Sequence, residues 1–281
     1  MPFDSTGKIS FDDIYTEPDP RAYFGTLGRV DYQIPQLAKP YFTKLIKEYR
    51  AERGVAEPTV LDIGCSYGVN AALQRCDATM DELYDYYTSP DARTLDHEAL
   101  VSADRHWVRA HEGSDDIRFI GLDNSEPALT YARSAGFIDD AIHADLERED
   151  PAPEQQNMLA GVDLVISTGC VGYVTERTIA RIARGARPWM AHFVLRMFSY
   201  DPVATRLAEL GYETAGIEGV FRQRRFTSAQ EQSQILDTLS SAGVDSDGLE
   251  TEGWLYAQLY ISRPAGAARQ LACAMNTVSP Q

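Results

Sequence analysis

One run constrains this chain more than any other: Thr59-Val60-Leu61-Asp62-Ile63-Gly64-Cys65-Ser66-Tyr67-Gly68-Val69-Asn70-Ala71-Ala72-Leu73. Residues 60–63 are apolar apart from Asp62 and predict a short buried strand. A turn of small residues with Gly64 and Gly68 follows, and residues 70–73 continue as a helix. Glycine lets a backbone pass close to a ligand that a Cβ would exclude. The start of the next helix offers unpaired N–H groups. Strand, glycine turn and helix together form a nucleotide-binding corner.

A dinucleotide site needs G-x-G-x-x-G at such a corner. Here the turn reads Gly64-x-Ser66-x-Gly68, with no third glycine at the required offset, and an acid, Asp62, precedes it. Composition narrows the ligand further. The net charge of −16 repels phosphate backbones, which argues against DNA or RNA and favours a small molecule. No apolar run approaches the roughly 20 residues of a membrane span, and the first residues lack the basic and apolar regions of a signal peptide. Four cysteines without a C-x-x-C pair suggest neither a zinc site nor a disulfide framework. A soluble cytoplasmic protein without a metal is the expectation.

Residues 1–36 are rich in aromatics and prolines and predict an irregular cap with one short helix over 20–27. Its rings can close over a flat ligand and exclude water, or simply cover the edge of the core. Residues 40–50 have helical spacing and lead into the first strand. Residues 74–115 separate the glycine turn from the next strand by far more than the usual distance of about 20 residues, and they predict an inserted pair of helices. That insertion suits either a substrate pocket or a subunit contact. Its His97, His106 and His111 do not have the spacing of a helical metal pair and read as solvated.

The second strand, 117–123, ends in Asp123. A carboxylate at that post can take both ribose hydroxyls. Ser125 is the better N-cap for the following helix, which Gly136 stops. A third strand is expected over 141–147, a surface loop over 149–156, and a fourth strand over 162–167. The loop after it, 168–174, should face the transferred group, because ligands bind beyond the carboxyl ends of strands. Cys170 and Tyr173 are its candidates; Cys170 also reads as a small buried filler, whereas Tyr173 can offer a hydroxyl or a ring face to a cation. A fifth strand over 189–197 contains His192, read as a satisfied core residue, and ends near Ser199. The basic run 221–226 either holds a carboxylate or forms a solvated edge. Residues 228–231 read as a capping box, residues 254–262 as the last strand, and residues 265–281 as a frayed tail.

Asp-x-Gly-x-x-x-Gly over residues 62–68, Asp123 at a strand end, Asp145 and the loop 167–173 together resemble the class I S-adenosylmethionine (SAM) dependent methyltransferases. The resemblance covers about residues 40–262 apart from the insertion, and Ser66 stands where that family more often has glycine. It implies an α/β fold, a Rossmann-like doubly wound, mostly parallel seven-stranded sheet. An N-terminal cap (1–39) precedes the SAM-binding domain (40–264), which carries the helical insertion (about 75–115) after its first helix. It implies SAM as cofactor, held by Asp62, Gly64, Ser66, Gly68, Asp123, Asn124, Asp145 and Ser167. Asp62 would lie under the methionine end and Asp145 would face the adenine amino group. The activity implied is in-line methyl transfer to a small molecule, as in secondary metabolism. No residue stands out as a general base. Asn124, Tyr173 and Ser199 also look somewhat like the azetidine-2-carboxylate synthases, which cyclise SAM and release methylthioadenosine; there the three residues would position the attacking amine. A SAM-binding module without catalysis is the third reading. The sequence leaves the acceptor and the oligomeric state open.

Overall fold

A computed structural model of the chain describes residues 4, 6–111 and 116–266; the tail expected to fray lies outside the described residues from 267 onward. In chain order, α1 (Asp12–Tyr15), α2 (Arg21–Leu27) and α3 (Ile34–Arg53) precede β1 (Thr59–Ile63) and α4 (Val69–Arg75). The insertion holds α5 (Met80–Thr88), α6 (Pro90–Thr94) and α7 (His97–His111). Then come β2 (Arg118–Asp123), α8 (Glu126–Ala135), β3 (Asp140–His143), α9 (Pro153–Ala160), β4 (Leu164–Thr168), α10 (Glu176–Ala183) and β5 (Trp189–Leu195). The chain continues through α11 (Asp201–Glu209), β6 (Tyr212–Gly216), β7 (Phe221–Arg225), α12 (Ala229–Ser241) and β8 (Trp254–Pro264).

The sheet runs β3-β2-β1-β4-β5-β8-β6, and β7 also pairs with β8. β1 to β5 are parallel, and β8 is antiparallel to β5. One edge of β8 faces β5; β6 takes positions 260–264 of the other edge and β7 takes 254–257. Eight strands therefore fill seven positions, the outermost being a single edge strand broken at residues 217–220. Helices cover both faces, and β5 is buried along its whole length, as a central parallel strand requires. The strand order reverses between β1 and β4, which opens a crevice at their carboxyl ends. The glycine turn sits at that point.

Three elements differ from their sequence expectations. α3 starts at Ile34, inside the stretch expected to be cap, so the boundary expected at residue 40 falls within one helix. Pro35 is tolerated in its first turn, and Pro40 lies in its interior, where a proline removes one backbone bond. Buried Tyr41, Phe42, Leu45 and Ile46 hold the helix against the sheet despite that loss. α9 replaces the loop expected over 149–156: Pro153 starts the helix rather than breaking it, because the N–H it lacks would be unpaired there anyway. Among its described residues the insertion contains three helices instead of two. It braces the cap: Phe24 stacks on Tyr87 with ring centroids 4.6 Å apart, and Arg21 donates to the carbonyls of Ala92 and Leu95. Among the described residues, no helix is long and apolar enough to cross a membrane.

Candidate functional site

Backbone geometry explains the glycine turn. Gly64, Ser66 and Gly68 all have left-handed φ, at 68°, 49° and 78°. Ser66 thus adopts a conformation that glycine reaches at less cost. The Gly64 N–H donates to the Leu122 carbonyl at 2.8 Å and ties the turn to the end of β2. A Cβ on Gly64 would lie 2.8 Å from the Cβ of Cys170, so the loop after β4 can approach only a glycine. Gly68 serves a different purpose from the one expected. Its Cβ would meet Phe137 at 3.0 Å and Ala132 at 3.2 Å, on the α8 side, and Gly68 does not line the ligand cavity.

A cavity of about 620 Å³ opens at the carboxyl ends of the strands. Asp123 is in its wall. One carboxylate oxygen accepts the Ser66 N–H at 2.8 Å and the other the Ser125 N–H at 2.9 Å. Burial raises the Asp123 carboxyl above its ordinary range, against the pull of these backbone donors. Asn124 lies beside it, exposed, with its carbonyl accepting from His143 Nε2 at 3.0 Å. Ser125 is the N-cap of α8, accepting from the Ala128 N–H.

Asp62 is fully buried and does not line the cavity. Its two oxygens accept from Asn70 Nδ2 at 3.1 and 3.2 Å, and that nitrogen also donates to Thr168 Oγ1 at 3.1 Å. Asn70 and Thr168 do line the cavity. Asp62 thus holds Asn70, and Asn70 lines the cavity where an acid was expected. Burial pushes the Asp62 carboxyl up to about 8. The sign of the consequence is fixed: above its unfolded value near 4 the unfolded chain loses this proton while the folded protein keeps it, so stability falls as pH rises from about 4 towards 8. Asp62→Asn is expected to flatten that part of the stability profile, measured by urea unfolding at pH 5, 6, 7 and 8. An unchanged slope removes Asp62 as its source.

The other expected residues divide. Ser167 is fully buried and its hydroxyl meets His192 Nδ1 at 2.7 Å; successive strand residues face opposite sides, so Thr168 reaches the cavity instead. Burial lowers His192 to about 3 and keeps it neutral, while its Nε2 has no partner among the described residues, so it is only half-satisfied. Ser199 is exposed outside the cavity, where its hydroxyl accepts the Asp201 N–H at the start of α11. Asp145 also lies outside, beyond the end of β3, with Arg148 at 3.3 Å. Tyr173 lines the cavity, as does Cys170, whose thiol donates to the Ile63 carbonyl and is pushed up to about 12 by burial. His97, His106 and His111 are exposed, and among the described residues no group of side chains is placed to hold a metal ion.

The cap supplies the remaining wall as a strap across the sheet edge. Tyr173 donates to the Asp4 carboxylate at 2.5 Å, and the Ile9 N–H donates to Glu231 at 2.9 Å. Arg224 lies 5.2 Å over the Phe11 ring. Tyr67 donates to the carbonyls of Ile14 and Glu17, and Ser125 to that of Tyr15. Lys8, Phe11, Tyr15, Tyr23 and Tyr32 line the cavity from this side. The aromatic density of residues 1–36 allowed either a lid or plain packing over the core edge; nothing in the sequence marked Lys8. The basic run 221–226 splits by burial: Arg222 and Arg225 face solvent, whereas Gln223 and Arg224 face inwards. Arg224 holds the buried Glu231 through bonds of 2.6 and 3.1 Å. The run does hold a carboxylate, one of the protein's own. Glu231 spends its side chain there, so only the Ser228 half of the expected capping box forms.

No family model and no curated protein sequence matches the chain. Solved structures do. The plantazolicin methyltransferase BpumL in complex with SAH is 13% identical, with a TM-score of 0.40, over 90% of this chain and 93% of that one. A SAM-dependent methyltransferase from Aquifex aeolicus is 11% identical, with a TM-score of 0.38, over 91% and 100%. The YcgJ protein from Bacillus subtilis is 12% identical, with a TM-score of 0.43, over 79% and 98%.

Proposed function

We propose that the protein is a SAM-dependent methyltransferase acting on a small molecule. The observation that carries this reading is the position of Asp123 beside the glycine turn at the strand-order switch, in the wall of a cavity closed over by an aromatic cap. An ionised carboxylate offers about four acceptor sites. The backbone N–H groups of Ser66, Ser125 and Asn124 act on Asp123 and leave acceptor capacity for a ribose hydroxyl. Two buried polar atoms of lining residues, Ser66 Oγ and Asn70 Oδ1, have no partner among the described residues, and they suit the polar parts of the same ligand. Asp123, Ser66 and Asn70, with the backbone of Gly64 and Cys65, would thus hold SAM. SAM supplies an electrophilic methyl group. The chain's own residues orient the reactants, and the cap excludes water; such positioning can supply most of the rate. The charge of −16 favours a cationic ligand over a nucleic acid.

The cyclase reading asks Asn124, Tyr173 and Ser199 to act together. Ser199 lies outside the cavity and the Tyr173 hydroxyl is donated to Asp4, which favours methyl transfer. The deciding experiment incubates the protein with SAM, with and without an extract as acceptor source. S-adenosylhomocysteine released only with extract is the expected result. Methylthioadenosine released from SAM alone overturns it in favour of cyclisation, and release of neither leaves a binding module. Tyr173→Phe is expected to keep SAM affinity within about twofold, because the ring remains. A loss of affinity above tenfold places the hydroxyl at SAM and contradicts this assignment.

A further inference from the structure

Lys8 is 8% exposed and lines the cavity. Among the described residues its ammonium enters no salt bridge; it rests 5.0 Å from the centre of the Tyr173 ring. The two acids nearby are committed elsewhere. Asp4 accepts from the Thr6 N–H, the Thr6 hydroxyl, the Lys8 N–H and the Tyr173 hydroxyl. Glu231 accepts from Arg224, Ile9 and Thr227. A buried ammonium without a direct ion pair is costly, although the charges of Asp4 and Glu231 offset part of that cost. Burial, and then repulsion from Arg224, lower Lys8 to about 8. The topology separates this cation from the ribose post. Asp123 ends β2, whereas Tyr173 follows β4, two strands away across β1, and Arg224 lies farther along the same edge on β7.

We propose that the part of the cavity bounded by Lys8, Arg224 and Tyr173 is a subsite for the carboxylate of the second substrate, a small acid whose flat body lies against Phe11, Tyr15 and Tyr32. This rests on the methyltransferase reading and names the class of acceptor. Lys8 supplies the charge. Arg224 is balanced by Glu231 and Asp4 also lines the cavity, so the attraction for an acid rests on the Lys8 ammonium itself. The rings of the strap provide the apolar walls that a small aromatic or unsaturated acid requires.

Calorimetry tests it with protein saturated by S-adenosylhomocysteine, using 4-hydroxybenzoate and 3-phenylpropanoate as probes and their amides as controls. At least one acid is expected to bind, and at least tenfold more tightly than its amide. Lys8→Met should weaken that binding at least tenfold, leave S-adenosylhomocysteine affinity within twofold, and melt no lower than the parent. Lys8→Arg should retain binding. If neither acid binds, or if Lys8→Met binds them like the parent, the subsite is refuted. If Lys8→Met instead loses S-adenosylhomocysteine, the carboxylate held is the nucleoside's own and the acceptor class is wrong. Should the parent bind no S-adenosylhomocysteine, the methyltransferase reading fails by itself; the acids are then titrated against unloaded protein, where the same Lys8→Met loss is still required.

Discussion

Asp123→Asn is expected to weaken SAM binding by about 10- to 150-fold, the equivalent of about 1.5–3 kcal/mol for hydrogen bonds to a charged group. The asparagine keeps the shape and one acceptor oxygen. The other becomes an NH₂, which cannot accept from a ribose hydroxyl and faces a backbone N–H that also donates. Which N–H is left depends on the amide's orientation: that of Ser66, in the glycine turn, or that of Ser125, at the start of α8. The substitution thus strikes the ligand and its cradle together. Calorimetry with SAM measures the first effect, and a melting curve without ligand measures the second. Affinity within twofold of the parent would take Asp123 out of the site and leave the SAM assignment without its principal residue.

A larger loss is expected in stability from Glu231→Ala. Glu231 is fully buried and receives Arg224 through two bonds, the Ile9 N–H at 2.9 Å and Thr227 through its N–H and hydroxyl. Removing one partner of a buried pair leaves an uncompensated charge and typically costs about 3–5 kcal/mol. The loss should appear as a lower urea midpoint, and SAM binding should weaken with it as the strap loses the Ile9 contact. Burial alone would raise the Glu231 carboxyl, but the bonds and charge of Arg224 outweigh it and hold it below the ordinary range. Its contribution is therefore present above the unfolded value near 4.3 and is lost as pH falls through the folded one. The double variant Arg224→Met with Glu231→Leu should recover much of the stability, because an apolar pair removes both charges at once. A single variant that unfolds at the parent midpoint would mean that the pair is not buried in solution.

The features legible in the sequence are those fixed by neighbours along the chain. The β1 apolar run, its glycine turn and the acid ending β2 each occupy a few consecutive residues, and all three appear where expected. The helix capped by Ser125 and stopped by Gly136 is equally local. Choices of facing were harder. Ser167 and Thr168 are adjacent, and only the pleat decides which of them meets the cavity. Asp62 belongs to the expected motif, but its strand points it into the core, where it acts through Asn70. Ser199 and Asp145 carry suitable chemistry and sit just past the ends of β5 and β3, yet each is bound into its own local turn. The strap was legible only as an excess of aromatic rings. What gives it a function lies 169 residues away for Asp4 and Tyr173, and 222 for Ile9 and Glu231. No local pattern carries such information.

Those separations also bear on the order in which the molecule comes into being. A contact between positions 9 and 231 closes a loop containing most of the chain, and closure on that scale slows folding. During synthesis the cap emerges well before its anchors on β7 and α12. Local pairs such as β1 with α4 can form long before. The wall that β7 gives the cavity is therefore completed late, and until then the Phe11 ring lacks its Arg224 contact. A ribosome-stalled chain ending before residue 221 should contain most of its parallel sheet and yet be unable to retain a nucleoside.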